Sequence, residues 1–370
     1  MKYNLYRFDE VAINFDKKRV PLSSMERMKR QGQYRYYGAQ GVIDYIDDYL
    51  FDGTYLLIAE DGENLKSNKQ NIAQIVNGQF WVNNHAHIVQ TNELCNLKYL
   101  YYLINSMDLS GYITGSAQPK LSQANLNAVE LQIPEVSIQN KIVSILDALD
   151  AKITINTEIN NNLEQQAQAI YQQMFTNQPN PDWVEGSLSD IADITMGQSP
   201  SGSSYNEDGI GTIFFQGRAE FGFRFPTIRL YTTEPKRMAC ANDTLMSVRA
   251  PVGDLNVAHT DCCIGRGLAA IHSKTNHQSF VLYTMFSLKK QLDVFNGEGT
   301  VFGSINRNSL NEMPILIPAD EVIEEFERIV APMDAIIRNN YDEICRLQII
   351  RDSLLPRLMS GELDVSDIDL

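Results

Sequence analysis

The sequence predicts an α+β fold in which two β-rich α/β domains are separated by two long antiparallel coiled-coil helices, with a pseudo-twofold internal repeat. Three observations lead to this prediction. The chain of 370 residues is too long for one ordinary core, its halves match at a constant offset, and each half ends in a long stretch of helical apolar spacing. Two globular units of similar design are therefore expected.

The internal repeat sets the predicted domain order. Leu126-Asn127 recurs as Leu310-Asn311, and Ile133-Pro134 recurs as Ile317-Pro318, in both cases 184 positions later. Other pairs at this offset are Gly115 with Gly299, Asp150-Ala151 with Asp334-Ala335, Ile153 with Ile337, and Leu163 with Leu347. The predicted order is a first domain at 1–134, a long spacer helix at 135–176, a linker at 177–184, a second domain at 185–318, a second spacer helix at 319–362 and an acidic tail at 363–370.

The segment after each Ile-Pro predicts a long helix, because its apolar residues recur at spacings typical of a single seam. Predicted helix-packing residues are Ile138, Ile142, Ile145, Leu149, Asn156 and Leu163 in the first helix, which also includes Ile159, and Val322, Phe326, Ile329, Met333, Asn340 and Leu347 in the second. Asn156 and Asn340 match at the repeat offset. Such a polar residue either fixes the pairing register or is an ordinary tolerated position. A helix of about 35 to 40 residues is on the order of 55 Å long and suits a spacer.

Short apolar runs separated by Gly, Asn and Asp turns predict the strands of the two domains. The clearest runs are Tyr55 to Ala59, Phe80 to Val82, Thr244 to Val248 and Leu268 to Ile271. One helical pattern occurs in each copy, near Tyr99 to Met107 and Phe280 to Val294. Each domain is therefore expected to be mixed, with much β-structure.

The net charge of −15 is unfavourable for a protein that binds phosphates, but it is unevenly distributed. Residues 1–134 contain 13 basic and 14 acidic side chains, and residues 185–318 contain 11 and 13. The predicted helical segments 135–184 and 319–370 contain 2 against 6 and 5 against 13, which accounts for −12 of the total. The two domains are nearly neutral, so nucleic-acid binding remains possible for them.

The sequence contains no convincing motif for catalysis, a cofactor or a metal. The glycine-rich stretch 297–304 lacks the lysine of a phosphate-binding loop, and Asn180-Pro181-Asp182 does not match an N-methyltransferase motif. His85-Ala86-His87 lacks further ligands at chelating spacing. No signal peptide and no apolar run of about 18 residues is found, so we expect a cytoplasmic chain without a membrane span and with reduced cysteines.

Several segments of the second half resemble one known family. They are Leu188-Ser189-Asp190-Ile191-Ala192-Asp193-Ile194, Met196-Gly197-Gln198-Ser199-Pro200-Ser201-Gly202-Ser203-Ser204-Tyr205, Asp243-Thr244-Leu245-Met246-Ser247-Val248-Arg249-Ala250-Pro251-Val252-Gly253 and Ile264-Gly265-Arg266-Gly267-Leu268-Ala269. These segments resemble a target-recognition domain of the specificity subunit of Type I restriction-modification systems. The first half resembles a different sequence type of that family, through Tyr36-Tyr37-Gly38-Ala39, Asp52 to Ala59, Asp61-Gly62 and Trp81 to His87.

The resemblance implies a non-catalytic subunit that binds double-stranded DNA at a bipartite, asymmetric site. It also implies two modification (methyltransferase) subunits as partners, together with restriction (translocase/nuclease) subunits. Two divergent domains imply two different half-sites. Rigid helices between them would fix the distance between the half-sites, which on one face of DNA is about one helical turn, roughly 34 Å.

Candidate DNA contacts in the first domain form a basic cluster followed by two tyrosines. The candidates are Lys17, Lys18, Arg19, Arg27, Lys29, Arg30, Arg35, Tyr36 and Tyr37. Lysine and arginine neutralise phosphates, and arginine or glutamine can reach base edges in the major groove. The alternative for this cluster is a solvated surface.

Candidate contacts in the second domain are polar loop residues and dispersed cations. The candidates are Gln198, Ser199, Ser201, Ser203, Ser204, Tyr205, Arg218, Lys236, Arg237, Arg249 and Arg266. Gln118-Pro119-Lys120 and Phe302-Gly303-Ser304 occupy matching repeat positions before the helices, where Lys120 is a further candidate. A structural role for Arg249 and Arg266, and a simple connecting loop before each helix, are the alternatives.

Two other functional classes fit parts of the sequence. The acidic helices would suit a structural adaptor that binds proteins and not DNA. The net charge alone would suit an antirestriction protein that mimics DNA. Because the acidic residues are concentrated in the helices and not in the globular domains, the charge distribution argues against the mimic.

Overall fold

The computed structural model describes residues 2–67, 70–115, 118–177, 179–297 and 303–368. Gly299 and Phe302, named above as a repeat partner and a candidate loop residue, lie outside these ranges, as do the last two residues of the tail. The chain divides into two compact units. Unit 1 comprises Met1–Ile155 and Glu343–Leu370, and unit 2 comprises Asn156–Asp342. Each unit therefore includes part of both long helices.

Unit 1 contains ten strands and five short helices among its described residues. The strands are β1 (Tyr3–Arg7), β2 (Ala12–Asn14), β3 (Gln31–Gly38), β4 (Gly41–Ile46), β5 (Phe51–Asp52), β6 (Tyr55–Ala59), β7 (Ala73–Val76), β8 (Gln79–Val82), β9 (Ala86–Thr91) and β10 (Glu130–Pro134). The helices are α1 (Phe8–Val11), α2 (Ser24–Lys29), α3 (Asn64–Ser67), α4 (Leu97–Ser106) and α5 (Gln123–Asn127). The long helix α6 (Val136–Tyr171) follows.

Unit 2 contains eleven strands and four short helices within the described ranges. The strands are β11 (Val184–Ser187), β12 (Ala192–Met196), β13 (Tyr205–Asn206), β14 (Thr212–Phe215), β15 (Leu230–Thr232), β16 (Met238–Ala239), β17 (Thr244–Ser247), β18 (Leu255–Val257), β19 (Cys262–Ile264), β20 (Leu268–Ser273) and β21 (Pro314–Ile317). The helices are α7 (Leu188–Ile191), α8 (Gln278–Ser287), α9 (Lys289–Leu292) and α10 (Arg307–Asn311). The long helix α11 (Asp320–Met359) follows.

The two units share one strand topology. Unit 1 has a β1-β10 pair, a sheet of order β2-β9-β6-β7 and a sheet of order β4-β3-β8-β5, in which β3 and β8 are parallel. Unit 2 has a β11-β21 pair, a sheet of order β12-β20-β17-β18 and a sheet containing β15-β14-β19-β16, in which β14 and β19 are parallel. Strand β13 is an addition at the edge of the last sheet. The same order in both units is the result expected when one sequence unit is duplicated.

Equivalent caps start the short helices before the long ones. The Ser122 side chain accepts a hydrogen bond from the Asn125 backbone N–H at the start of α5. The Asn306 side chain accepts one from the Ser309 N–H at the start of α10. Because both side chains satisfy a backbone donor that would lack a partner, they define where each helix begins. The two caps are 184 positions apart, as in the repeat.

The long helices contain 36 and 40 residues, which agrees with the predicted length. In unit 1, Asp150 of α6 pairs with Arg351 of α11 at 3.0 Å, and Lys152 pairs with Glu343 at 3.3 Å. In unit 2, the Asn340 amide donates to the Asn160 side-chain oxygen at 2.9 Å. No helix in the described ranges has the length and apolar character needed to cross a membrane.

The predicted seam holds along most of α6 but not at Ile159. Ile142 and Asn156 are buried, whereas Ile159 is 41% exposed and Asn160 is only 3% exposed. A seam can continue either three or four residues after Asn156. Burial shows that it continues at the fourth residue, Asn160, and not at the third, Ile159. The prediction that Ile159 packs in the seam is therefore wrong. The other predicted helix-packing residues, which are Ile138, Ile145, Leu149, Leu163, Val322, Phe326, Ile329, Met333, Asn340 and Leu347, are buried or half-buried.

Candidate nucleic-acid interface

Four loops of unit 2 meet at one end of its sheets. The Gln198 N–H donates to the Ile264 carbonyl at 3.0 Å, and the Arg266 N–H donates to the Ser199 hydroxyl at 3.3 Å. The loop after β14 joins them because the Gly265 N–H donates to Phe215 at 2.8 Å. The Val248 N–H donates to Gly267 at 2.9 Å, which places the loop after β17 beside these three. We name the exposed residues Gln198, Arg218, Arg249 and Arg266, together with half-buried Ser199, the unit 2 edge.

The cations of the unit 2 edge are largely unneutralised. Arg249 and Arg266 are exposed and form no ion pair within the described part of the chain. Arg218 is 47% exposed and pairs with Asp254 at 3.0 Å. Arg237, whose carbonyl accepts from the Ile264 N–H at 2.9 Å, and its neighbour Lys236 are also exposed. Sequence-predicted residues distant along the chain are thus brought to one surface that can accept phosphates.

The serine-rich loop of unit 2 is partly a structural turn. Ser201 and Ser203 are exposed, and their hydroxyls lie 2.8 Å apart. Ser204 is buried, because its hydroxyl donates to the Ser201 carbonyl at 2.7 Å and contacts Thr232 at 2.7 Å. The Tyr205 hydroxyl donates to the Pro200 carbonyl at 3.1 Å. Ser204 and Tyr205 therefore shape the loop, and the exposed hydroxyls are those of Ser201 and Ser203.

Unit 1 has an equivalent end, which its backbone hydrogen bonds identify. The Phe15 N–H donates to Ile88 at 2.8 Å, where unit 2 has Gly197 donating to Leu268 at 2.9 Å. The Asn83 N–H donates to Tyr37 at 3.0 Å, in the place of the bond between Gly265 and Phe215.

The match continues through the neighbouring loops. The Glu60 N–H donates to His85 at 2.9 Å, in the place of the bond between Val248 and Gly267. We name the exposed residues Lys17, Lys18, Gln40, Asn84, His85 and Lys120 at this end the unit 1 edge.

A charged network lies beneath the unit 1 edge. The His87 Nδ1 atom is 2.6 Å from the Asp16 carboxylate, and its Nε2 atom is 2.7 Å from the Leu121 carbonyl. The Arg19 guanidinium pairs with Asp16 at 3.3 Å and with Glu60 at 2.9 Å. Burial acts to raise the pKa of Asp16, but hydrogen bonds from His87 and Ile88 and the charges of His87 and Arg19 hold that pKa below its ordinary value.

The same network includes three residues, Asp16, Glu60 and His87, that are of types able to ligate a metal. Ligand atoms of Asp16, Glu60 and His87 all lie within 4.8 Å of one another. However, both His87 nitrogens have acceptor partners, and Arg19 pairs with both carboxylates. The Lys120 ammonium adds a further cation 3.3 Å from Glu60. The chain's own cations thus neutralise the cluster, and Arg19, predicted as a DNA contact, is only 13% exposed and holds the loop together.

The second part of the predicted basic cluster lies on and beside α2. Arg27 pairs with Asp44 at 2.9 Å, and Arg30 pairs with Asp47 at 2.9 Å. Both arginines are oriented toward strand β4 and the segment after it. Lys29 is exposed and forms no ion pair with any described residue. The two arginines therefore share their charge with carboxylates of the same unit.

The remaining candidates of unit 1 lie in β3 and are mostly covered. Tyr36 is fully buried, and its hydroxyl accepts a hydrogen bond from the Leu22 N–H at 2.9 Å. Tyr37 is 4% exposed. Arg35 is half-buried and donates to the Asn77 carbonyl at 2.7 Å. In this conformation the two tyrosines pack the core and present no ring surface to a ligand.

Sequence reasoning did not select three residues of the unit 1 edge, namely Gln40, Asn84 and His85. His85 was considered only as half of a metal motif with His87, but the two side chains have different roles. His85 is 49% exposed and its Nδ1 atom is 2.6 Å from Asp61, whereas His87 is buried. The offset of 184 gave no signal for them, because it aligns Asn84 with Leu268, whereas the strands align Asn84, the second residue after β8, with Arg266, the second residue after β19.

Two units of one topology, each with a polar and basic end, define an internally duplicated α+β protein. The family model described as "Type I restriction modification DNA specificity domain" matches residues 2–165 and again 180–345. The chain therefore belongs to the family of Type I restriction-modification DNA specificity proteins.

Named relatives agree with this assignment. The chain is 32% identical over 291 residues to the putative type I restriction enzyme MjaX specificity subunit of Methanocaldococcus jannaschii, an alignment covering 72% of this chain and 68% of the relative. It is 23% identical over 424 aligned positions to the HindI specificity subunit of Haemophilus influenzae, covering 90% and 88%. The crystal structure of a Type-I restriction-modification S subunit from M. genitalium matches with a TM-score of 0.65 at 15% identity, covering 97% and 96%, which shows a common fold.

Proposed function

We propose that this chain is the DNA-binding specificity subunit of a Type I restriction-modification complex and that its two units read the two halves of a bipartite, asymmetric site. The observation that carries the proposal is the equivalent edge at the same place in both units, within a family described by its DNA specificity domain. Exposed arginines, lysines and amides are the groups that contact phosphates and base edges. The edges differ in sequence, so the half-sites differ.

The long helices are proposed as an antiparallel coiled-coil spacer between recognition domains at 1–134 and 185–318. Contacts within each unit support this arrangement. In unit 1, residues 150 and 152 of α6 pair with 351 and 343 of α11, so one sequence number rises as the other falls. In unit 2, Arg224 bridges Glu164 and Asp334, while Asn160 contacts Asn340, which gives the same sense. A rigid spacer would make the gap between half-sites a property of helix length.

The proposed partners are DNA, two modification subunits and the restriction subunits. The named relatives are specificity subunits of type I restriction enzymes, which supports assembly with catalytic subunits. Methyl transfer, translocation and cleavage would then belong to those partners. The adaptor and DNA-mimic alternatives receive no support, because the matching family model is described by DNA specificity.

Methylation of cellular DNA tests the proposal. The chain is expressed with and without a Type I modification subunit in a host lacking other adenine methyltransferases, and the methylated motifs are identified by methylation-aware sequencing. We expect adenine methylation at one gapped, asymmetric motif only when both proteins are present. The modification subunit alone serves as the control. Methylation by the chain alone, or a contiguous motif without a gap, would contradict the proposal.

A further inference from the structure

We propose that the loop between β8 and β9 reads bases for unit 1 and the loop between β19 and β20 reads bases for unit 2, with Asn84 selecting an adenine and Arg266 selecting a guanine. This inference rests on the proposed function. It assigns base reading in unit 1 to a residue outside the basic cluster around α2. In unit 2 it selects one arginine from several exposed cations.

The loop between β8 and β9 and the loop between β19 and β20 are equivalent in the two units. Each follows the strand that pairs in parallel with the first long strand of its sheet, β8 beside β3 and β19 beside β14. Each loop is held by the same two backbone bonds, which are Asn83 to Tyr37 with Glu60 to His85 in unit 1, and Gly265 to Phe215 with Val248 to Gly267 in unit 2. Asn84 and Arg266 therefore occupy the same position in the two units.

The side chains of Arg266 and Asn84 are exposed and available to an external partner. Arg266 is exposed and has no carboxylate partner within the described residues. Asn84 is exposed, and its amide makes no hydrogen bond with the described part of the protein. His85 beside it contacts Asp61 through Nδ1, and its side chain is 49% exposed. Side chains that are unpartnered on a fixed backbone are well suited to bind an external partner, because no internal contact must break and only side-chain rotamers must be ordered on binding.

The side chains of Arg266 and Asn84 match different bases. The arginine guanidinium offers two parallel donors that match guanine O6 and N7, and the asparagine amide offers a donor and an acceptor that match adenine N6 and N7. Lysine can also approach guanine O6 and N7, but it does so as a flexible point charge without the planar fork of arginine. Lys17, Lys18 and Lys120 around the unit 1 loop, and Arg237 and Arg249 around the unit 2 loop, are placed to hold the phosphates.

The unit 1 edge and the cations around α2 differ in how far carboxylates neutralise them. Around α2, the cations Arg27, Lys29 and Arg30 are accompanied by four carboxylates, those of Glu26, Asp44, Asp47 and Asp48. The surface there has no excess of positive charge. At the unit 1 edge, Lys17 and Lys18 are exposed without a carboxylate partner among the described residues. Phosphate attraction therefore favours the edge.

The experiment measures the methylated motif of complexes carrying Arg266→Ala, Arg266→Lys or Asn84→Ala. We expect Arg266→Ala to reduce the preference for one guanine in one half-site by roughly 10- to 100-fold and leave the other half-site unchanged. Arg266→Lys should keep the salt dependence of DNA binding and only part of the guanine preference, because it retains the charge and loses the planar fork. Asn84→Ala should relax one adenine in the opposite half-site.

The matched control for unit 1 is the triple variant Arg27→Ala, Lys29→Ala, Arg30→Ala, which should leave the motif intact. If the wild-type complex methylates no gapped site, the proposed function fails. If it does, but Asn84→Ala and Arg266→Ala leave every motif position unchanged, or the α2 triple variant alone alters base preference, the assignment of the reading loops is overturned while the function stands.

Discussion

At the residue scale, Asp16 ties together the loop beneath the unit 1 edge. Its carboxylate lies 2.6 Å from the His87 Nδ1 atom, accepts a hydrogen bond from the Ile88 N–H at 2.9 Å and pairs with the Arg19 guanidinium at 3.3 Å. The Asp16 side chain is 4% exposed and that of Arg19 is 13% exposed, so the two form a largely buried ion pair. This pair fixes the loop that presents Lys17 and Lys18.

Replacing Asp16 with Asn tests the role of that pair. The substitution leaves His87 and Arg19 without their shared carboxylate, and breaking a buried ion pair from one side typically costs about 3–5 kcal/mol. We expect a clear fall in the free energy of unfolding, measured by urea titration at neutral pH. Asp9→Asn is the control, because Asp9 pairs with Arg7 on the exposed surface. Equal effects of the two substitutions would contradict the assigned role.

The same carboxylate predicts an acid limb of stability. Its pKa is lowered in the folded chain, so its contribution is fully present above the unfolded value of about 3.8 and is lost as the pH falls through the folded value. The wild type should therefore lose stability below about pH 4 more steeply than Asp16→Asn does. Parallel acid limbs in the two proteins would show that Asp16 is not the responsible group.

The candidate site shows where sequence reasoning reached its limit. Arg249 and Arg266 of unit 2 were found because they lie within family motifs. The pairing of Arg27 with Asp44 and of Arg30 with Asp47 was not foreseen, because it requires α2 to pack on β4 and the segment after it, 17 positions later in both cases. Composition shows that cations are present. It does not show whether the fold neutralises them.

At the element scale, Arg224 ties the globular part of unit 2 to three helices. Its guanidinium pairs with Glu164 of α6 at 3.0 Å and with Asp334 of α11 at 3.2 Å, and it donates to the Tyr283 hydroxyl of α8 at 3.1 Å. The side chain is only 4% exposed. Such a bridge holds the globular part of unit 2 to these helices.

Replacing Arg224 with Met is expected to destabilise unit 2 by about 3–5 kcal/mol, because Glu164 and Asp334 remain partly buried without a cation. Calorimetric unfolding of the full chain should show the unit 2 transition at a lower temperature. Arg328→Ala, which removes an exposed pair with Glu325 on α11, should leave that transition unchanged. An unaltered transition in the Arg224 variant would show that the bridge contributes little to this attachment.

Local periodicity predicted the elements better than it predicted their partners. The apolar spacing located both long helices, because the apolar residues of a helix seam recur three and four positions apart in the sequence. The Asn pair was foreseen only in part, since Asn340 contacts Asn160, four residues beyond its repeat equivalent Asn156. The parallel pairs β3-β8 and β14-β19 were not foreseen, because such pairing joins segments far apart in sequence.

For the whole molecule, the acidic charge and the helical seam lie in the same segments. Residues 135–184 and 319–370 account for −12 of the net charge of −15, while residues 1–134 and 185–318 are nearly neutral. This separation keeps acidic repulsion away from the two edges proposed to contact phosphates. It also suits the proposed spacer, in which the length of the helices would set the distance between the half-sites.

Inserting one heptad into each long helix, after Ile155 in α6 and after Asp342 in α11, tests that spacer most directly. Seven residues add about 10.5 Å, close to three base pairs, and complete almost two turns, so the seam continues with little rotation. Insertion into one helix alone is the control and should abolish methylation by breaking the register. Methylation-aware sequencing of the double insertion should show both half-sites unchanged and a gap longer than that of the wild type, because the spacer is longer. A folded, methylating variant with the original gap would contradict the account.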